Sequence, residues 1–223
     1  TNFDRYFFES QLCPKGLEIV KKNFGDFEES EGAVIFKGEP YGLHTRVFIN
    51  SSGLPVYEAK ELGLNKEKFD IYSPDLSVIV TGNEINSYFK VLLKVMDLVM
   101  PEVASKTRHI GHGMMRLATG KMSSREGNVI TGEFLLTEIE NMVAEKMEGR
   151  NLRDEEKSKI ISEVAVVAIK YSILKQSIGK DIHFDFEKSI SFEGDSGPYM
   201  QYTAVRIKSL LQKARDAGEG ASL

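Results

Sequence analysis

Cysteine and long apolar runs are nearly absent from this chain of 223 residues, and each absence excludes a class of protein. The single cysteine, Cys13, excludes an internal disulfide and a zinc site built from several cysteines, which is typical of a reducing cytosol. The best candidate for a membrane span, residues 91–100, is interrupted by Lys94 and Asp97. We therefore expect a cytoplasmic protein that has no membrane partner.

Neither positive nor negative charge is in large excess. The net charge is −4, with 28% of residues charged and 41% hydrophobic, which is typical of a globular protein. Because there is no overall basic field, any contact with nucleic acid must be local or lie on parts outside this sequence. The chain begins with threonine and ends directly after a helical pattern, so we expect a fragment of a longer protein.

The middle of the chain has the pattern of an α/β protein. Residues 76–80 form an apolar, β-branched run of the kind buried in a parallel sheet, and Gly82 follows. A helix then carries Phe89, Leu92 and Met96 on one face, and residues 107–115 predict a second strand. This order predicts half of a Rossmann-type doubly wound parallel sheet, which binds ligands at the carboxyl ends of its strands.

The flanking segments complete the predicted organisation. We expect a helix over residues 15–24, a hairpin from residues 33–36 and 46–49, and a helix over residues 55–62. From Thr131 onward the pattern predicts helices alone, the last one opened by residues 195–198 as cap and first-turn proline. We therefore expect a catalytic-type α/β domain over residues 1–130 and an all-α helical region over residues 131–223.

Residues 120–128 read Gly-Lys-Met-Ser-Ser-Arg-Glu-Gly-Asn and are the most informative segment of the chain. Lys121 and Arg125 lie in a loop rich in glycine and serine, directly before a helix that Thr131 can cap. Cationic side chains and backbone N–H groups next to a helix N-terminus suit a polyphosphate. A charged, solvated turn is the alternative interpretation.

This segment resembles the KMSKS loop of class I aminoacyl-tRNA synthetases, and most of all that of the arginyl enzymes. The resemblance implies catalytic roles for Lys121, Ser123, Ser124 and Arg125, and ATP binding by Lys121 and Met122. Ser124 stands where the class often has lysine, which shifts the expected phosphate contacts to Lys121 and Arg125. ATP and Mg²⁺ are the implied cofactors, and arginine and tRNA(Arg) are the implied partners of a protein that is monomeric at full length.

Gly82 and Glu84 are candidates for binding the ribose of ATP. A carboxylate can accept hydrogen bonds from the two ribose hydroxyls, while glycine permits close approach. An acid that complements a helix dipole is the alternative. The family places Gly-x-Asp here, so Glu84 is one methylene longer. The resemblance also implies that the backbone of Gly113, Met114 and Met115 lines the adenine.

Tyr57 and Glu61 are candidates for binding the substrate arginine. In the resembling family, a tyrosine and an acid four residues later engage arginine from one helical face. A carboxylate suits a guanidinium because the two groups can form paired hydrogen bonds. Glu58 is an alternative for the same role, and an ordinary surface pair is the alternative interpretation.

Residues 109–112 spell His-Ile-Gly-His, the other signature of class I synthetases. That signature opens a helix far upstream of the lysine loop, whereas here it precedes Lys121 closely and lies in a predicted strand. We therefore interpret the match as accidental and expect His109 and His112 to be packed or hydrogen-bonded. We expect no metal site, because zinc would need two further ligands.

The last helix carries the candidates for tRNA contact. Stacking and phosphate contact are available from Tyr199, Gln201, Tyr202 and Arg206. Packing of the same aromatic rings into a helical core is the alternative. By resemblance, this part begins the anticodon-binding region.

Three other functions stay open from the sequence. The chain could come from another class I synthetase, such as a cysteinyl or glutamyl enzyme, or from a non-catalytic RNA-binding module derived from one. It could also belong to an unrelated nucleotidyltransferase. As an arginyl enzyme it would be incomplete and inactive alone.

Overall fold

The computed structural model describes residues 2–117 and 131–217. Contacts divide the chain into two compact units, Thr1–His112 and Gly113–Leu223. Each unit combines helices with a parallel strand pair, so the predicted α/β class is confirmed. The domain boundary expected near residue 130 falls outside the described residues and stays a prediction.

Unit 1 contains four helices, five strands and three short 3₁₀ turns. In chain order these are α1 (Glu9–Lys22), a turn (Phe24–Asp26), β1 (Glu28–Ser30), β2 (Ala33–Phe36), a turn (Glu39–Tyr41), β3 (Arg46–Ile49), α2 (Tyr57–Tyr72), β4 (Ser77–Gly82), a turn (Asn83–Ile85), α3 (Asn86–Val99), α4 (Pro101–Ser105) and β5 (Thr107–His112). Strands β1, β2 and β3 form an antiparallel sheet, and β4 pairs with β5 in parallel. The predicted hairpin is therefore present.

The core of unit 1 forms under α3, whose apolar residues recur at helical spacing. Phe89, Leu92 and Met96 are all buried, as their periodicity predicts. Strand β4 differs from the prediction of a run buried on both faces, because Val78 and Val80 are 46% and 62% exposed. Within the described residues β4 has one strand neighbour, β5, and one open face.

Helices α1 and α2 touch through their backbones. A Cβ atom added to Gly16 would lie 2.0 Å from the carbonyl oxygen of Ala59, and one added to Gly63 would lie 2.7 Å from that of Leu12. Glycine is required at both positions because any side chain would push the helices apart. This contact fixes the position of α2.

Unit 2 contains β6 (Met115–Leu117), α5 (Gly132–Lys146), α6 (Asp154–Leu174), β7 (Ile182–Phe184), α7 (Phe186–Ser189) and α8 (Gly197–Asp216). Strands β6 and β7 pair in parallel. As expected, Thr131 caps α5, and its hydroxyl accepts from the Phe134 amide at 3.1 Å. Within the segment expected to open α8, Ser196 is the cap, and its hydroxyl accepts from the Tyr199 amide at 3.2 Å.

Two sequence predictions for this region are wrong. The strand expected over residues 107–115 is two strands, because β5 ends at His112 and β6 begins at Met115 with a different partner. The segment after Thr131 is not purely helical, because β7 places Ile182 and Phe184 in a buried, alternating pattern. No helix in the described ranges is long and apolar enough to cross a membrane.

Candidate active site

The carboxyl ends of β4 and β5 lie side by side and form one edge of the candidate site. Gly82 is in register with His112, and Thr81 with Gly111. The Glu84 carboxylate folds back over Gly82, since a Cβ atom on that glycine would lie 2.2 Å from Glu84 Oε2. Glu84 is exposed, so this edge offers a carboxylate to hydroxyl groups above a backbone without a side chain.

His109 supports this edge from inside β5. Its Nε2 lies 2.7 Å from Thr81 Oγ1, and its ring stacks on Phe89 with centroids 3.9 Å apart. Burial lowers the pKa of His109, which favours the neutral imidazole. The His-Ile-Gly-His match lies within β5, as predicted, and not at a helix start.

A continuous run of aromatic rings connects α2 to this edge. The Tyr57 and Tyr88 centroids are 5.1 Å apart, and those of Tyr88 and Phe89 are also 5.1 Å apart. Phe89 then stacks on His109. Packed aromatic rings therefore connect the residues predicted to bind arginine with the strand edge that carries the residues predicted to bind ribose, all within unit 1.

Glu61 is a buried carboxylate on α2, one turn after Tyr57. It is 9% exposed, so it is not the ordinary surface acid that the sequence left as an alternative. Burial raises the pKa of Glu61, while the charge of Lys68 and the hydroxyl of Tyr57 oppose this rise. The described part of the chain gives Glu61 no ion pair. A buried carboxylate in this state is stabilised by a cationic ligand.

Glu58, the second acid weighed from the sequence, already has a cation. An Arg46 guanidinium nitrogen lies 3.6 Å from its carboxylate, and the Arg46 Cζ lies 5.5 Å from the centroid of the Tyr88 ring. The side chain of Glu58 is largely buried, so an incoming guanidinium would have to displace Arg46. This pairing favours Glu61 as the acceptor.

Gly113, Met114 and Met115 lie in unit 2 and are engaged with the segment before β7. The Met114 amide donates to Asp181 Oδ1 at 3.1 Å, and the Ile182 amide donates to the Met114 carbonyl at 2.9 Å. Met115 pairs with Ile182 in the ladder. The exposed Met114 side chain is the surface that this turn offers to a ligand.

The predicted phosphate loop, with Lys121, Met122, Ser123, Ser124 and Arg125, lies outside the described residues. Its roles stay predictions.

The predicted tRNA residues lie on α8. Tyr202 is 48% exposed, and Arg206 Nη1 donates to its hydroxyl at 3.0 Å. Tyr199 is also exposed, so both rings are available to a partner and do not pack into a core as the alternative predicted. Gln201 is partly buried, and its Oε1 has no hydrogen-bond partner within the described ranges.

Sequence reasoning missed Arg46, Lys68 and Tyr88. Arg46 opens a short strand, so no recognisable pattern marks it. Tyr88 lies four residues before Leu92 on the buried face of α3, so its spacing marks it as a core residue and not as a site residue. Lys68 follows Glu61 by seven residues on α2, and this helical spacing was a usable signal. Among the described residues, no cluster of three or more histidine, cysteine, aspartate or glutamate residues could hold a metal ion.

Comparison with known proteins identifies the class to which this geometry belongs. Residues 8–186 match the family model for the catalytic domain of class I (R) tRNA synthetases, and the chain belongs to this family.

Curated relatives agree with this family. The arginine–tRNA ligase of Amoebophilus asiaticus is 32% identical over 224 residues, covering 96% of this chain and 37% of that protein. The arginine–tRNA ligase of Bacteroides fragilis is 34% identical over 225 residues, covering 97% of this chain and 37% of that protein. The chain thus spans little more than a third of the length of these relatives.

Solved structures show the same fold. The arginyl-tRNA synthetase of Thermus thermophilus superposes with a TM-score of 0.76 at 22% identity, covering 92% of this chain and 41% of that chain. The Plasmodium falciparum arginyl-tRNA synthetase gives a TM-score of 0.76 at 17% identity, covering 94% of this chain and 36% of that chain.

Proposed function

We propose that this chain is part of an arginyl-tRNA synthetase, a protein that attaches arginine to tRNA(Arg) through an arginyl-adenylate. The supporting observation is Glu61, a buried carboxylate without an ion pair in the described ranges, beside Tyr57 on α2. A guanidinium offers five donors and a fixed positive charge, which are the properties that such a carboxylate binds best.

ATP would bind along the edge formed by β4 and β5. Glu84 would accept from the ribose hydroxyls above Gly82, and the turn at Gly113, Met114 and Met115 would contact adenine. Lys121, with Met122, Ser123, Ser124 and Arg125, would neutralise charge on the phosphates as adenylate forms. Mg²⁺ would enter bound to the ATP phosphates.

The remaining proposals concern the whole protein. Tyr199, Gln201, Tyr202 and Arg206 would contact tRNA by stacking and phosphate contact, supported by the exposure of both tyrosines. The complete protein would be a cytoplasmic monomer.

The test measures amino-acid-dependent exchange of pyrophosphate into ATP by the complete protein that carries this chain, with tRNA present. We expect exchange with arginine alone. Lys121→Ala should lower the rate about 10²- to 10³-fold, with a modest change in arginine affinity, because one cation at the developing charge is lost. Lys21→Ala, on the exposed end of α1, is the matched control and should change nothing.

Other outcomes distinguish the alternatives. Exchange with a different amino acid would identify another class I synthetase. ATP turnover that needs no amino acid would favour a nucleotidyltransferase, and unchanged function of Lys121→Ala would favour a non-catalytic module.

A further inference from the structure

The Tyr88 hydroxyl is a buried polar group to which the described part of the chain offers no hydrogen bond. Tyr88 is 5% exposed, and its oxygen has no hydrogen-bond partner in residues 2–117 and 131–217. Buried hydroxyls normally find partners, since an unpaired one loses its hydration without compensation. A phenylalanine would fill the same space without this cost, so the hydroxyl needs an explanation.

The surroundings of Tyr88 are those of the candidate arginine site. Its ring lies 5.1 Å from the ring of Tyr57 and 5.5 Å from the Arg46 guanidinium carbon. Burial raises the pKa of Tyr88 far above its ordinary value, and the charge of Glu61 adds more to this rise than that of Glu58. The hydroxyl is therefore neutral, and its ring packs on Tyr57, which lies one helical turn before Glu61 on α2.

The chemistry of the ligand matches this arrangement. A guanidinium has five N–H donors and no acceptor, so a carboxylate that accepts two of them leaves others unpaired. A neutral phenol oxygen can accept one of the remaining N–H groups. The same ring already carries one guanidinium, that of Arg46, which shows that its surroundings tolerate this group.

We propose that Tyr88 is a specificity-determining residue, whose hydroxyl oxygen accepts an N–H of the substrate guanidinium beside Glu61. This inference rests on the proposed function and adds a second acceptor to the arginine pocket. The hydroxyl has no partner among the described residues, and the bound arginine supplies one.

The test uses Tyr88→Phe in the complete protein. We expect the KM for arginine to rise about tenfold to a hundredfold, the usual range for a lost hydrogen bond to a charged group. The KM for ATP and kcat should stay within about twofold, because the ring and its packing remain. Without arginine the thermal midpoint should not fall, and calorimetry should show the same weakening of arginine binding.

Tyr72→Phe, at the exposed C-terminal end of α2, is the matched control and should change none of these quantities. If wild-type protein activates arginine and Tyr88→Phe leaves its KM unchanged, the role of Tyr88 is wrong while the proposed function stands. A lower thermal midpoint with unchanged arginine binding would show a structural role and also overturn the inference. If the wild type does not activate arginine, the proposed function and this inference both fall.

Discussion

Glu61 is a buried acid whose charged form lowers the stability of the folded protein. Its pKa is raised by burial, so the folded protein binds a proton more readily than the unfolded chain does. Stability from this group is therefore greatest at acid pH. It falls as the pH rises from the ordinary value of 4.5 through the raised folded value. Above the raised folded pKa, the buried charge destabilises the free protein and favours a cationic ligand.

We predict that Glu61→Gln separates stability from binding. The thermal midpoint of the free protein at pH 7 should stay the same or rise, because a buried charge is removed while the shape is kept. Arginine affinity should fall by about 2–5 kcal/mol, or at least about thirtyfold, because the guanidinium loses its buried counter-ion. Thermal melts from pH 4 to pH 8 and arginine calorimetry measure the two effects.

Glu102→Gln, on the exposed surface of α4, is the control for this change and should alter neither quantity. A variant that binds arginine as well as wild type would exclude Glu61 from the pocket.

At the residue scale, the sequence predicts which residues share a helical face but not which side chains from other elements contact them. Tyr57 and Glu61 are candidates because residues 53–61 resemble the stretch with which the arginyl enzymes engage arginine, and their spacing of four residues puts both on one helical face. The pairing of Arg46 with Glu58, and the unpaired hydroxyl of Tyr88, arise from contacts between β3, α2 and α3. No local pattern encodes such contacts, so the choice between Glu58 and Glu61 needed the structure.

Among the elements, the contact between α1 and α2 is the most sensitive to mutation. We predict that Gly16→Ala destabilises the protein by about 1–3 kcal/mol, because its Cβ atom would meet the backbone of Ala59, which cannot rotate away. Urea unfolding monitored by circular dichroism should show a lower midpoint. The KM for arginine should also rise, since α2 carries Tyr57 and Glu61.

Gly25→Ala is the matched control, because a Cβ atom there would meet nothing within 4 Å. Its cost should stay within about 0.5 kcal/mol. Equal destabilisation by both variants would mean that the helices do not touch at Gly16.

Element length explains which parts of the fold were predictable. Helix α3 was found because several apolar residues repeat at its period. Strands β6 and β7 have three residues each, too few to show a period of two, and they pair across more than sixty residues of sequence. The split between β5 and β6 was missed for the same reason, since a pairing partner is a property of the fold.

At the scale of the whole molecule, the chain spans 37% of the length of its curated relatives. Adenylate formation requires the arginine carboxylate, the α-phosphate and the phosphate-binding cations in one arrangement. The described residues include one acid that we propose for the guanidinium, Glu61, and one that we propose for the ribose, Glu84. The resemblance to the arginyl enzymes places the second ATP signature elsewhere in the protein.

We therefore predict that the isolated 223 residues catalyse no arginine-dependent exchange of pyrophosphate into ATP, whereas the complete protein does. Both are assayed at equal molar concentration, after a cooperative thermal transition shows that the shorter chain is folded. Exchange by the shorter chain above the blank without arginine would contradict this prediction.

The glycine contact between α1 and α2 also limits how this protein could be redesigned. Because the two backbones already touch, α2 has no free distance over which to slide or tilt when a different amino acid is to be accommodated. Under the proposed function, retargeting depends on exchanging the side chains at positions 57, 61 and 88, and libraries that vary the helix packing would yield unfolded protein before new specificity.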